Sequence, residues 1–273
     1  MEDFLRVIHK KELGIALEFK KICEKHNLRY FMIGGSMLGA VRHKGFIPWD
    51  DDIDFGMPRD DYDKFTSLVS NELSKMYTFV SFENTKNYKL FFSKIEDRSF
   101  TMIDKSNIRE KVVYPWIDIF PIDGVPAKMI SLWKLRYLYR RAKFQMSQFD
   151  NISTNRKKRP FYEKILILFA RIFNKFNIFS EDKEFLKLEK FLKSTPYNSS
   201  KYVINGMGAY KLREMTLRDW FDDLEDLQFE ETTLKGLVRK NADLYLTQLY
   251  GDYMVPPVLE DRSQHQIEEY EES

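Results

Sequence analysis

Apolar and polar positions alternate with two different periods along this chain, and the period changes near its middle. Leu5, Ile8, Leu13, Leu17, Ile22 and Cys23 recur at helical spacing, which predicts an amphipathic helix stopped at Asn27. Arg29 to Ile33 is short, apolar and aromatic and predicts a strand. Gly34-Gly35-Ser36 breaks it, and Met37, Leu38, Ala40 and Val41 predict a helix capped by Ser36. A second strand is expected over Ile53 to Met57. Pro58 then opens a helix from Arg59 to Leu73 at its favoured first position. Further strands are expected over Tyr77 to Phe82, Leu90 to Ile95 and Val112 to Phe120, with a turn from Pro121 to Pro126.

After Ala127 the spacing becomes helical. Trp133 to Phe149, Phe161 to Phe176, Lys183 to Leu192 and Leu237 to Tyr250 are the expected helices, the last closed by Gly251. The fold class is therefore α+β: a mixed β-sheet with flanking helices, followed by a helical C-terminal half. The division falls at residues 1–126 for the core and 127–273 for a helical region packed on it, as one continuous unit.

Composition narrows the class. The chain has 273 residues, 43% hydrophobic and 15% aromatic, enough for a large core and too apolar for disorder. A single cysteine, Cys23, excludes an internal disulfide and sits on the apolar helical face as a small core residue. No apolar run approaches the roughly 20 residues needed to cross a bilayer. No signal-peptide stretch opens the chain, so a cytoplasmic protein is expected. The net charge is only +2, yet Lys128 to Lys175 holds thirteen Lys and Arg against two acids. Such asymmetry points to an anionic partner: nucleic acid, anionic lipid or a phosphorylated glycan. Within it, Arg156-Lys157-Lys158-Arg159 precedes an apolar stripe over residues 161–176. That pattern reads either as a membrane-surface helix or as a core-facing helix with a solvated basic face.

The densest chemistry lies in Trp49-Asp50-Asp51-Asp52-Ile53-Asp54-Phe55. On a strand Asp52 and Asp54 project to one side while Ile53 turns into the core. Paired carboxylates repel unless a cation neutralises them, and hard divalent ions suit oxygen ligands. A calcium EF-hand is excluded because Phe55 and Asp61 stand where that loop needs Gly and Glu. Gly34-Gly35-Ser36, between strand and helix, reads as an ordinary turn or as a phosphate cradle. Asp118, framed by Ile117 and Ile119, needs a metal, a base role or a structural ion pair.

The run Ile33-Gly34-Gly35-Ser36-Met37-Leu38-Gly39-Ala40-Val41-Arg42-His43-Lys44-Gly45-Phe46-Ile47-Pro48-Trp49-Asp50-Asp51-Asp52-Ile53-Asp54 resembles the signature of the LicD family. That family includes bacterial phosphocholine transferases and is similar to fukutin and fukutin-related protein. Trp116 to Gly124, and Tyr250 to Met254 with Pro256-Pro257, match it too. Ser36 departs from the Gly-Thr pair of many relatives but keeps the hydroxyl. The resemblance implies a nucleotidyltransferase-like fold, a CDP-choline-like donor and transfer of phosphocholine, or of ribitol or glycerol phosphate, to a lipid-linked or wall-bound glycan. It implies Mg²⁺ (or Mn²⁺) on Asp52, Asp54 and Asp118. Gly34, Gly35 and Ser36 would hold donor phosphates. Arg42, Lys94 and Arg98 would contact the donor, with Arg262 and His265 closing over the site. Surface ion pairs for Arg42, and a solvated tail for Arg262 and His265, are the competing readings. No nucleic acid partner is expected on this resemblance. Nucleotide addition to nucleic acid, and a non-catalytic nucleotide-binding scaffold, stand as the other readings.

Overall fold

A computed structural model of the chain describes residues 2–86, 88, 90–105, 110–147, 165, 168, 180–258 and 267–270. Helix α1 spans Glu2–Lys25, and Asn27, at φ +52°, ends it. Its inner stripe of Ile8, Ile15, Ala16, Phe19, Ile22 and Cys23 is buried, whereas Leu17 turns outward. The strands β1 (Phe31–Met32) and β2 (Ile53–Pro58) flank helix α2 (Gly34–Arg42), and helix α3 (Arg59–Glu72) follows. Next come β3 (Tyr77–Val80), β4 (Ser93–Asp97), β5 (Met102–Asp104), β6 (Lys111–Val113) and β7 (Trp116–Val125). The back half holds α4 (Ile130–Ser147), α5 (Glu181–Leu192), β8 (Tyr202–Asn205), β9 (Met215–Leu217), β10 (Leu224–Phe229), β11 (Thr232–Leu237), α6 (Arg239–Tyr250) and β12 (Ile267–Glu269).

The main sheet is mixed, in the order β1-β2-β7-β4-β3, with β8 added beside β7 and β9 beside β8. This is the α+β architecture that the alternating periods predict. Every residue of the central strand β7 is buried, because β2, β4 and β8 pair with it and helices cover its faces. The core beside it is aromatic: Phe19 meets Phe55, Phe65 and Tyr30 with ring centroids 4.7 to 5.2 Å apart.

Four expectations change. The single strand expected over Val112 to Phe120 is two, β6 paired with β5 in a small separate sheet and β7 in the main sheet, parted at Tyr114-Pro115. The turn expected at Pro121 to Pro126 is the second half of β7. Pro121 falls between the last residue paired with β4, Ile119, and the first paired with β8, Ile122, so its missing N–H leaves no gap in a ladder on that side. Helix α2 begins at Gly34, which puts Ser36 inside it rather than at its cap. The back half carries strands besides its helices. Of these, β8 and β9 complete the main sheet, and β10 with β11 forms a hairpin around Glu230, at φ +53°. The expected helix over residues 161–176 and its basic tetrad lie outside the described residues, except Ile165 and Leu168, which are helical. No helix among the described residues is long and apolar enough to cross a membrane.

Candidate active site

The register of three strands builds the site. In the parallel pair β2–β7, Asp54 stands opposite Asp118; in the antiparallel pair β4–β7, Lys94 stands opposite the same Asp118. Directly opposed residues share a face, so Lys94, Asp118 and Asp54 form a row across the sheet. Asp52 precedes β2 by one residue and joins them. Ligand oxygens of Asp52, Asp54 and Asp118 all lie within 4.8 Å of one another. Lys94 Nζ is 2.8 Å from Asp118 Oδ1 and 4.1 Å from the centre of the Trp116 ring, so one cation partly offsets the cluster.

The balance remains negative. Burial, and then the charges of Asp52, Asp118 and Asp50, push the Asp54 carboxyl well above the usual range, against the pull of Lys94. Glu12 reaches the same region from α1. It is fully buried, and neither carboxylate oxygen has a hydrogen-bond partner among the described residues. Burial, followed by Asp52, Asp51, Asp50 and Asp118, raises its pKa well above normal. An oxygen-rich set this short of countercharge fits a hard divalent cation.

The start of α2 is held against these carboxylates. Ile33 N–H donates to the Asp54 carbonyl at 3.1 Å, and Asp54 N–H donates to Ser36 Oγ at 2.7 Å. The Ser36 hydroxyl therefore braces β2 from a buried position rather than lining the cavity. Gly34 has φ +54° and donates its N–H to Tyr245 Oη at 3.0 Å. A Cβ on Gly35 would come within 2.7 Å of Asp50 Oδ2, so glycine lets that carboxylate approach the start of α2 and a side chain there would push it aside.

Beside the acids opens a cavity of about 550 Å³. Gly35, Arg42, Asp52 and Asp54 line one side, and Trp49, Tyr210, Tyr250 and Tyr253 supply aromatic walls. The volume lies within the ~300–1,000 Å³ typical of small-molecule and cofactor sites. Arg42 donates from Nη1 to the Tyr253 carbonyl at 2.6 Å and from Nε to His43 Nε2 at 2.9 Å. Its buried Nη2 has no hydrogen-bond partner among the described residues.

The structure thus brings Asp52, Asp54, Asp118 and Lys94 together, with Gly34, Gly35 and Arg42 at their edge. It does not bring Arg98, whose guanidinium pairs with Glu96 at 3.3 Å and lies over the Tyr114 ring. Arg262 and His265 lie outside the described residues. The expectations above omitted Glu12, Tyr210, Tyr245 and Tyr250. Glu12 had a signal: it interrupts the apolar stripe of α1 four residues from both Ile8 and Ala16. Tyr250 also had one, since it opens the Tyr250 to Met254 stretch that matches the family; Tyr210 and Tyr245 had none, because they reach the site from far along the chain.

Residues 27–165 match the family model described as LicD/FKTN/FKRP, nucleotidyltransferase domain. The chain is 31% identical over 261 residues to the lipopolysaccharide cholinephosphotransferase LicD of Haemophilus influenzae, covering 94% of each. A shorter stretch of 40 residues is 48% identical to the ribitol 5-phosphate transferase FKRP of Homo sapiens, 15% of this chain and 8% of that protein. Another, of 85 residues, is 35% identical to the uncharacterized protein RP689 of Rickettsia prowazekii, 30% of this chain and 32% of that one. Matched by the family model over half its length and by a relative over nearly all of it, the chain belongs to the LicD family.

Proposed function

We propose that this protein is a metal-dependent transferase that moves a phosphorylated alcohol, phosphocholine before others, from a CDP-activated donor to a hydroxyl of a cell-surface glycan such as teichoic acid, capsule or lipopolysaccharide. The observation that carries the reading is the set of three carboxylates within 4.8 Å of one another, with Asp52 and Asp54 lining the cavity. The relative that shares 94% coverage is named a lipopolysaccharide cholinephosphotransferase, which supports the cargo and the class of acceptor.

Asp52, Asp54 and Asp118 would hold Mg²⁺ or Mn²⁺, which when bound neutralises the donor diphosphate. Arg42 offers its unpartnered Nη2 to a phosphate oxygen, and the Gly35 N–H at the start of α2 offers another donor. Lys94 restrains Asp118, and Ser36 restrains the backbone of Asp54. With the donor so oriented, the acceptor hydroxyl attacks the phosphorus that bears the choline. Its oxygen forms the new P–O bond as the bridging P–O bond breaks. CMP leaves with the electron pair, and the hydroxyl proton passes to a carboxylate of the cluster. The site of action is the cytoplasm at the inner face of the membrane, with a lipid-linked glycan as acceptor.

The stretch 48% identical to a ribitol 5-phosphate transferase favours a second cargo, ribitol or glycerol phosphate, handled by the same residues. The test offers CDP-choline, CDP-glycerol and CDP-ribitol separately with an acceptor glycan and Mg²⁺, following CMP release and the mass of the glycan. CMP release with a gain of one phosphocholine is expected. Release from a polyol donor alone transfers the proposal to that cargo. Release from none, or incorporation of nucleotide into RNA, contradicts it.

A further inference from the structure

Helix α4 has no acidic residue in its 18 positions and carries Lys134, Arg136, Arg140, Arg141 and Lys143. Its inner face packs into the protein. Trp133, Tyr137 and Phe144 are buried, and Arg141 donates to the Tyr137 hydroxyl at 2.9 Å and to the Gly206 carbonyl at 3.1 Å. Its outer face is apolar and open: Leu135 is 65% exposed, Tyr139 63% and Leu138 37%. Spacings of three and four residues make them one patch. Lys143 Nζ lies 5.3 Å from the centre of the Tyr139 ring but pairs with Glu184 Oε2 at 3.8 Å, so Lys134 and Arg136 are the cations that flank the apolar surface. Ile165 and Leu168, three apart in the neighbouring basic stretch, are also helical and exposed.

Scattered apolar residues are ordinary on a protein surface. A leucine and tyrosine cluster flanked by cations, on a helix without a single acid, combines the residue types that favour an anionic lipid surface. The leucines suit the acyl boundary, the tyrosine the headgroup level, and Lys and Arg the lipid phosphates. We propose that the outer face of α4 docks this protein on an anionic lipid surface. Charge selects the occupant. A second copy seated by two-fold symmetry would set the same cations against each other. A soluble phosphorylated glycan would satisfy the cations and leave Leu135 and Leu138 in water. The docked helix also bears on the cavity, since Gly206, which Arg141 holds, is three residues before the cavity-lining Ala209. The surface itself is independent of which donor the cavity takes.

Flotation of the full chain with vesicles of phosphatidylcholine, with and without phosphatidylglycerol, tests it. Wild-type protein should float only with the anionic vesicles, and less as salt rises. Lys134→Gln with Arg136→Gln should weaken binding about 25-fold, fivefold per charge. Leu135→Glu with Tyr139→Glu should weaken it at least as much, while circular dichroism and turnover of soluble substrates stay as in wild type. The neutralised variant keeps the test decisive should the glutamate variant misfold. Absence of flotation, equal flotation with phosphatidylcholine alone, or undiminished binding by the neutralised variant overturns the proposal. So does a dimer in sedimentation velocity that the glutamate variant dissociates, or equally tight binding of a soluble anionic glycan.

Discussion

Asp54 and Asp118 stand directly opposite each other across the parallel pair of β2 and β7. Like charges so placed repel, and the fold adds Asp52 and the buried Glu12 to the same region. Asp54→Asn should therefore lower turnover at least about a hundredfold, the several kcal/mol that a bound metal contributes to charge stabilisation. It should not lower the melting temperature measured in chelator, because the lost carboxylate was unfavourable there. Steady-state kinetics and a thermal melt decide; near-normal turnover would remove Asp54 from the mechanism.

Gly34 sits at φ +54°, and a Cβ there would lie 3.3 Å from Asp54 Oδ2. Gly34→Ala should cost roughly 1–2 kcal/mol, the price of a left-handed backbone for an L-residue. It should also reduce turnover, because the strain falls on a carboxylate of the site. Urea unfolding of the variant should show the first effect, and an activity loss larger than the stability change predicts should show the second.

Arg59 and Asp123 form a buried, two-pronged ion pair with both contacts at 2.7 Å. It joins the start of α3 to the second half of β7. Asp123→Ala should cost about 3 kcal/mol, since it leaves a buried guanidinium with only the more exposed Asp63, 3.6 Å away, as a countercharge. The double replacement Arg59→Met with Asp123→Leu should recover much of that. A double variant as unstable as the single one would contradict this.

Glu214 ionises late. Burial raises its pKa to about 7, against the N–H of Tyr210 and the charge of Arg141, which lower it. In the unfolded chain it titrates near 4.5, so between that value and about 7 the folded protein holds the extra proton. Stability must then fall as pH rises through this window, by up to about 3 kcal/mol from this group. Glu214→Gln keeps an acceptor for Tyr210 N–H and should flatten that part of the profile. Denaturant midpoints measured from pH 4.5 to pH 7.5 would show whether wild type and variant diverge as expected.

Sequence patterning revealed the parts of the site whose chemistry is local. The alternation of Asp52-Ile53-Asp54 announces two carboxylates on one face, and Gly34-Gly35 announces a break between strand and helix. Asp118 between two isoleucines announces a buried acid that needs a partner. That the partner set includes Asp54 and Lys94 depends on register across three strands, which no local pattern encodes. Pro121 and Asp123-Gly124 misled for a physical reason. They have turn chemistry, yet Asp123 is consumed by Arg59, and Gly124 is small because a Cβ would meet Ser200 Oγ at 2.5 Å and the Pro196 carbonyl at 2.6 Å. The hairpin of β10 and β11 was obscured by charged residues on its exposed face. Its anchors, Glu230 N–H to the Lys44 carbonyl and Phe46 N–H to Glu230 Oε1, are contacts between distant parts of the chain.

The most direct measurement is a calorimetric titration of CDP-choline into the protein with Mg²⁺, repeated in chelator and with Asp52→Asn. Binding that requires Mg²⁺ and disappears in the variant is the predicted result. Equal affinity for CDP-choline in all three experiments would contradict the assignment of Asp52, Asp54 and Asp118 as the metal-holding set through which the donor is bound.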